Sequence, residues 1–218
     1  MSIATLETPD GPAEMVVDEA EEPAAVLLLG HGAGGDIDGW DLTLLAQRLP
    51  ALGVTVVCFR QPYKVAGRKI YSSKPGLDRA WTVALAAASR RWPELALVTG
   101  GHSAGARTAC RGFAAGQAGL VLLSFPLHPP GQPTKSRLEE LVAAGAPTLI
   151  VQGEKDTFGT ADELTTALAA TERVDVGLVA LPGAGHSMAP TATTGADAIA
   201  ERERLLIRSV TGFISSLS

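Results

Sequence analysis

The motif G-H-S-A-G at residues 101–105 holds the side chain best suited to covalent chemistry, the hydroxyl of Ser103. It follows an apolar run at 95–99 and precedes small, helix-compatible residues at 104–115, so it predicts a sharp turn from a strand into a helix. Side chains two residues before and after the serine would collide in such a turn, which accounts for the two glycines. The N–H of Ala104, at the helix N-terminus, could then stabilise an oxyanion. An ordinary Gly-rich turn is the alternative for so short a motif.

A serine hydroxyl is a weak nucleophile and needs a base within hydrogen-bonding distance. Two suitable residues, Asp156 and His186, follow the later apolar runs 148–152 and 176–181. The chain order Ser, Asp, His is one in which catalytic triads occur. His186 would take the serine proton and return it to the leaving group, and Asp156 would fix the imidazole tautomer.

Other histidines and acids compete for these roles. His31 begins a Gly-rich turn, where a structural hydrogen bond is expected, and the side chain of His102 should point away from its neighbour, the serine. Glu154 and Asp162 are alternatives to the predicted acid, although an acid at Asp162 also suits the first turn of a helix. Three residues are candidates for the pocket: His31, His128 and Arg107.

The turn H-G-A-G-G at residues 31–35 follows the apolar run 24–29. The backbone N–H of Ala33 or Gly34 would be the second oxyanion donor, beside that of Ala104. A phosphate-binding loop is the alternative, but the turn lacks both G-x-G-x-x-G and the Walker lysine. The histidines do not have metal-ligand spacing. We therefore expect neither a metal nor a cofactor.

Short apolar runs alternate with helical patterns along the chain, which predicts a three-layer α/β/α sandwich with a mostly parallel central sheet. Functional groups gather at the carboxyl ends of the strands in such sheets. We expect one domain over residues 24–218, preceded by an acidic arm or an edge hairpin at 1–23. About twenty residues separate the runs 120–125 and 148–152, so a minimal lid or no lid is expected.

Three local features are also predicted. Asp36 or Asp38 would cap a helix whose apolar positions extend to Leu52. Residues 60–75 would form a basic loop without acidic residues, and the next helix would open at Pro75. This loop is either a solvated surface or an attractor for an anionic substrate.

Composition excludes several classes of function. The chain has 218 residues, 46% of them hydrophobic, and a net charge of −5, with ten acidic residues and no Lys or Arg in positions 1–47. Nucleic-acid binding would need a clustered basic excess, and no apolar run is long enough for a membrane span, so neither partner is expected. Residues 1–10 do not read as a signal peptide, and two cysteines do not make a disulfide framework, so we expect a cytoplasmic protein.

Five motifs together resemble one branch of the α/β-hydrolase superfamily, which contains the KANSL family and small testis-expressed proteins and is similar in fold to dienelactone hydrolases. The motifs lie at residues 31–35, 101–107, 125–131, 152–159 and 185–187. The resemblance implies that Ser103, Asp156 and His186 form the triad. Dienelactone hydrolases have cysteine at the nucleophile position, and the serine here favours ester hydrolysis. Some relatives serve as scaffolds.

The sequence therefore predicts a serine hydrolase that cleaves small-molecule carboxylic esters through an acyl-enzyme. A thioesterase or amidase, or a non-catalytic interaction module that keeps the fold, are the alternatives. The sequence does not indicate an oligomeric state.

Overall fold

The computed structural model describes residues 1–71, 73–171 and 175–217. Within them, eight strands alternate with seven α-helices and one short 3-10 helix at Pro50–Leu52. The strands are β1 (Ser2–Thr8), β2 (Gly11–Asp18), β3 (Ala25–Gly30), β4 (Val54–Arg60), β5 (Ala96–His102), β6 (Gly119–Leu123), β7 (Thr148–Gly153) and β8 (Val176–Leu181). The helices are α1 (Trp40–Arg48), α2 (Pro62–Val65), α3 (Lys74–Arg91), α4 (Ala104–Gly112), α5 (Leu138–Ala144), α6 (Ala161–Ala169) and α7 (Ala196–Ser215).

All eight strands form one sheet in the order β1-β2-β4-β3-β5-β6-β7-β8. Strands β3 to β8 pair in parallel, whereas β1 pairs antiparallel with β2, and β2 with β4. Strands β3, β6 and β7 are buried along their whole length, as expected for parallel strands covered on both faces. The predicted, mostly parallel sheet is confirmed.

Helices cover both faces of this sheet. Trp81 of α3, Ala106 of α4 and Leu164 of α6 belong to one apolar cluster with the sheet. Leu45 of α1 and Val210 of α7 belong to a second cluster on the opposite face. The sheet and the helices on its two faces are thus the three layers of the predicted sandwich. Only the short helix α5 lies between β6 and β7, so no lid covers the carboxyl end of the sheet there.

The N-terminal segment forms an edge hairpin instead of a mobile arm. Strands β1 and β2 pair from Ser2 opposite Val17 to Thr8 opposite Gly11. The inward side chains of β2, Ala13, Met15 and Val17, are buried in the same cluster as Trp81. The hairpin is therefore part of the core.

Local predictions for helix starts and loops were less accurate. Neither Asp36 nor Asp38 caps α1, whose N-cap is Gly39, because the Asp36 carboxylate accepts from the Ile37 N–H and pairs with Arg60. Leu52 is 56% exposed, since the helix ends at Arg48 and a Pro50 turn follows.

The predicted loop 60–75 contains the one-turn helix α2. Helix α3 begins one residue before Pro75, with the Ser73 hydroxyl accepting from the Gly76 N–H as its cap. Among the described residues, no helix combines the length and apolarity needed to cross a bilayer.

Candidate active site

Ser103 lies between the end of β5 and the start of α4 in a strained backbone conformation, with φ 52° and ψ −106°. A Cβ atom on either Gly101 or Gly105 would lie 2.2 Å from the carbonyl oxygen of Gly30 in β3. The two glycines are thus required by the approach of β3, whereas the sequence argument placed the collision within the turn itself. The close approach fixes the serine above the end of the sheet.

Ser103, His186 and Asp156 form one hydrogen-bonded chain. The Oγ of Ser103 lies 2.8 Å from Nε2 of His186. The Nδ1 of the same ring lies 3.0 and 2.9 Å from the two carboxylate oxygens of Asp156. With a proton on Nδ1 donated to the carboxylate, Nε2 is free to accept the serine proton. The competing acids Glu154 and Asp162 do not bind this ring.

The Asp156 carboxylate is buried and held by two further donors. The side-chain amide of Gln152 donates to Oδ2 at 2.9 Å, and the N–H of Phe158 donates to Oδ1 at 2.8 Å. Gln152 was not singled out from the sequence, although a fully buried glutamine at the end of β7 is itself unusual. The ring of Phe158 also stacks on that of His186, with 4.1 Å between centroids.

A second histidine–carboxylate pair lies beside these three residues. Nδ1 of His102 lies 2.7 Å from Oδ2 of Asp41, which is only 1% exposed. The His102 ring packs in a T-shaped arrangement against the ring of His186, with 5.3 Å between centroids. Burial opposes the charged form of His102, but the Asp41 carboxylate outweighs it and raises the pKa of His102. No sequence pattern identifies Asp41 as the partner of His102.

Two side chains bind carbonyl groups of the Gly-rich turn. The backbone N–H of Gln61 donates to Nε2 of His31 at 3.1 Å, so Nδ1 carries the proton and donates to the Gly32 carbonyl at 2.8 Å. Burial lowers the pKa of His31, which favours this neutral form. The Tyr63 hydroxyl donates to the Ala33 carbonyl at 2.9 Å.

These contacts orient the candidate oxyanion donors. In a trans peptide the N–H points opposite to the carbonyl of the same peptide. The N–H groups of Ala33 and Gly34 therefore point away from His31 and Tyr63. Both residues line one cavity with Ser103 and Ala104.

This cavity has a volume of about 640 Å³, within the range of small-molecule sites. Of the three candidate pocket residues, only Arg107 lines it. The prediction that His31 lines the pocket is wrong, because its ring supports the Gly-rich turn. His128 also lies outside the wall, because its ring is buried against the Pro129 carbonyl at 2.9 Å and Glu163 at 3.4 Å.

The described residues contain no group of three or more His, Cys, Asp or Glu side chains that could hold a metal ion. The chemistry that this site can perform is nucleophilic attack by an activated serine next to backbone N–H donors.

A model of the alpha/beta hydrolase domain family matches residues 23–215 of the chain. The comparison with curated proteins gave no match. Among solved structures, an alpha-beta serine hydrolase homologue from Coxiella burnetii is similar with a TM-score of 0.76 and 20% identity, over 95% of this chain and 96% of that one.

Two further solved structures are similar over nearly their whole length. An α/β serine hydrolase without a lid from Xanthomonas campestris has a TM-score of 0.69 and 21% identity, over 99% of this chain and 92% of that one. The esterase domain of a Rhodothermus marinus protein has a TM-score of 0.67 and 14% identity, over 98% of this chain and 100% of that one. At these identities the likeness concerns the fold.

Proposed function

Because the chain belongs to the alpha/beta hydrolase domain family, we propose that it is a serine hydrolase that cleaves small carboxylic esters through Ser103, His186 and Asp156. The observation that carries the proposal is the unbroken hydrogen-bonded chain from Ser103 Oγ through both ring nitrogens of His186 to the buried carboxylate. Ser103 and His186 line a cavity together with Ala33, Gly34 and Ala104, whose backbone N–H groups are the candidate oxyanion donors.

The geometry supports the following reaction. Ser103 Oγ attacks the ester carbonyl carbon while Nε2 of His186 takes the hydroxyl proton. The carbonyl oxygen becomes an oxyanion, held by the N–H of Ala104 and of Ala33 or Gly34. The bond to the alcohol oxygen then breaks, and that oxygen receives the proton from His186. Water, activated by the same nitrogen, splits the acyl-enzyme to the carboxylic acid and free serine.

A small substrate is favoured by the cavity volume and by the absence of a covering segment between β6 and β7. Thioesters and amides would share the acyl chemistry and differ in the leaving group, so they belong to the same test. The finer placement in the KANSL and testis-expressed branch, with its scaffold members, rests on the sequence motifs and stays a prediction. The cytoplasmic location also stays a prediction.

The test is turnover of matched butyryl substrates: a 4-nitrophenyl ester, a thioester and a 4-nitroanilide. We expect the oxygen ester to be hydrolysed fastest, and Ser103→Ala to lower kcat about a thousandfold or more. His128→Gln, which changes a buried histidine outside the cavity, is the matched control and should retain activity. A folded wild-type protein that hydrolyses no substrate faster than Ser103→Ala does would refute the proposal.

A further inference from the structure

One wall of the cavity is backed by a cluster of charged side chains with more cations than anions. The Glu140 carboxylate receives two hydrogen bonds from Arg107, at 2.6 and 2.5 Å, and one from Arg111 at 3.3 Å. Arg111 also binds the Asp78 carboxylate at 2.6 Å. Two carboxylates thus serve two arginines. The third arginine of this group, Arg137, is left without a carboxylate.

Arg137 is the cation of the cavity wall that lacks an acidic partner. Among the described residues, its guanidinium forms no ion pair, and its hydrogen bond is a long one of 3.4 Å to the Pro126 carbonyl. Burial and the neighbouring Arg107 lower the pKa of Arg137, as expected for a cation whose charge is not compensated. Arg107 borders the same cavity, but its guanidinium already forms an ion pair with Glu140.

The two acidic residues that line the cavity, Asp36 and Asp41, both have partners. Asp36 lies 2.9 Å from Arg60, and Asp41 lies 2.7 Å from His102. Among the described residues that line the cavity, Arg137 is therefore the charged side chain that has no ion-pair partner.

A neutral donor borders the cavity with this arginine. Tyr71 lines the same cavity as Arg137. Its ring is held edge-on by Tyr63 at 6.0 Å between centroids. The Tyr71 hydroxyl makes no hydrogen bond to any described residue. A guanidinium fork and a phenol can both donate to one carboxylate.

We propose that the ester substrate carries a carboxylate, bound by Arg137 and Tyr71 while its ester carbonyl lies at Ser103. This inference rests on the proposed function and names the substrate class. A carboxylate is favoured over a phosphate dianion because the one guanidinium balances a single negative charge. The neutral phenol adds a hydrogen bond and no charge. Of the basic segment 60–74, Arg60 is already paired with Glu14 and Asp36.

The test compares esters that differ only in this charge. One pair is mono-4-nitrophenyl adipate and 4-nitrophenyl methyl adipate, with the carboxylate on the acyl side. The other is 3-acetoxybenzoate and methyl 3-acetoxybenzoate, with the carboxylate on the leaving group. We expect the anionic member of at least one pair to have a kcat/KM about tenfold higher or more, because a charge-assisted hydrogen bond contributes that much.

Variants assign the preference to its residues. Arg137→Gln should lower the anionic-to-neutral ratio about tenfold, and Tyr71→Phe should lower it less, because a neutral donor binds a carboxylate more weakly than a guanidinium. The control Arg90→Gln removes the same charge from an exposed position near the end of α3 and should leave the ratio at its wild-type value. Melting temperatures of all variants show whether they are folded.

Each result has a distinct meaning. An anionic-to-neutral kcat/KM ratio of one or less in both pairs overturns the inference, and so does an unchanged ratio in folded Arg137→Gln. In either case, hydrolysis of the neutral esters still upholds the proposed function. If hexyl phosphate competes in an Arg137-dependent way and hexanoate does not, the carboxylate assignment is wrong. If wild type hydrolyses none of the four esters, the proposed function fails, and the inference fails with it.

Discussion

The carboxylate of Asp156, the acid of the proposed triad, is held by the residues around it. Its two oxygens accept from His186, from the Gln152 amide and from the Phe158 N–H, so the carboxylate is held by donors only. An acceptor held in this way fixes the imidazole tautomer with its proton on Nδ1. The orientation of the base is thus set by contacts outside the reacting atoms.

Asp156→Asn should lower kcat for 4-nitrophenyl butyrate by roughly 10³ to 10⁴, with little effect on folding. The NH₂ group of asparagine donates and cannot accept, so one of these donors would lose its acceptor and the ring would turn or adopt the wrong tautomer. Asp162→Asn is the matched control, because Asp162 is exposed in the first turn of α6 and stays away from the ring. Equal losses in both variants would contradict the assignment.

The pair of His102 and Asp41 predicts a pH-dependent contribution to stability. The pKa of His102 is raised in the folded protein, so the contribution is complete below its unfolded value of about 6.5 and disappears as pH rises through the raised folded value. Asp41→Asn should therefore lower the free energy of unfolding by about 2 kcal/mol at pH 5.5 and by less at pH 9.

Urea unfolding of the two proteins at several pH values measures this difference. His31, whose buried ring has a lowered pKa and destabilises the fold on acidification, is common to both and cancels. Asp38→Asn changes an exposed acid nearby and should show no such trend. A difference that is flat with pH, or that grows as pH rises, would show that the pair does not work in this way.

At the scale of elements, the close approach of β3 to the turn between β5 and α4 sets the position of the nucleophile. A Cβ on Gly105 would meet the backbone of Gly30, which cannot move without displacing a central strand. The site therefore depends on a backbone contact between two elements that are distant in sequence.

Gly105→Ala should cost about 3 kcal/mol or more of unfolding free energy and abolish turnover. Gly212→Ala is the matched control, since Gly212 lies inside α7 with no atom within 4 Å of a new Cβ. It should stabilise the protein by about 0.5 to 1 kcal/mol. Chemical denaturation of both variants measures the contrast, and a neutral Gly105→Ala would disprove the packing argument.

The edge hairpin makes a second prediction at this scale. Met15 is buried in the main cluster, whereas Ile3 on the same hairpin is 59% exposed. Met15→Ala should lower the free energy of unfolding by about 2 to 5 kcal/mol, and Ile3→Ala by less than about 0.5 kcal/mol. If residues 2–18 were a mobile arm instead, both substitutions would leave the free energy of unfolding unchanged in a urea titration.

At the scale of the whole molecule, the sequence predicted the features that repeat along the chain. Continuous apolar runs predicted strands such as β7 and β8, and chain order predicted which polar residues follow them. These features are local or periodic, so the sequence alone contains them. The same reasoning found Ser103, Asp156 and His186, which the structure brings within hydrogen-bonding distance of one another.

Features that depend on long-range contacts were missed. The sequence shows no sign that Asp41 meets His102 or that Arg137 lacks a carboxylate, because both facts depend on how elements pack. Helix starts were misjudged where a capping residue had a better partner, as Asp36 has in Arg60. The hairpin could not be distinguished from an arm, since only its pairing with β4 buries its apolar residues.

The central claim is that His186 activates Ser103, and labelling by a fluorophosphonate tests it most directly. The probe modifies an activated serine without requiring knowledge of the natural substrate. We predict that the wild-type protein and His128→Gln are labelled at Ser103, and that Ser103→Ala and His186→Ala are not. A folded wild-type protein that resists the probe, or a His186→Ala variant that reacts at the wild-type rate, would contradict the claim.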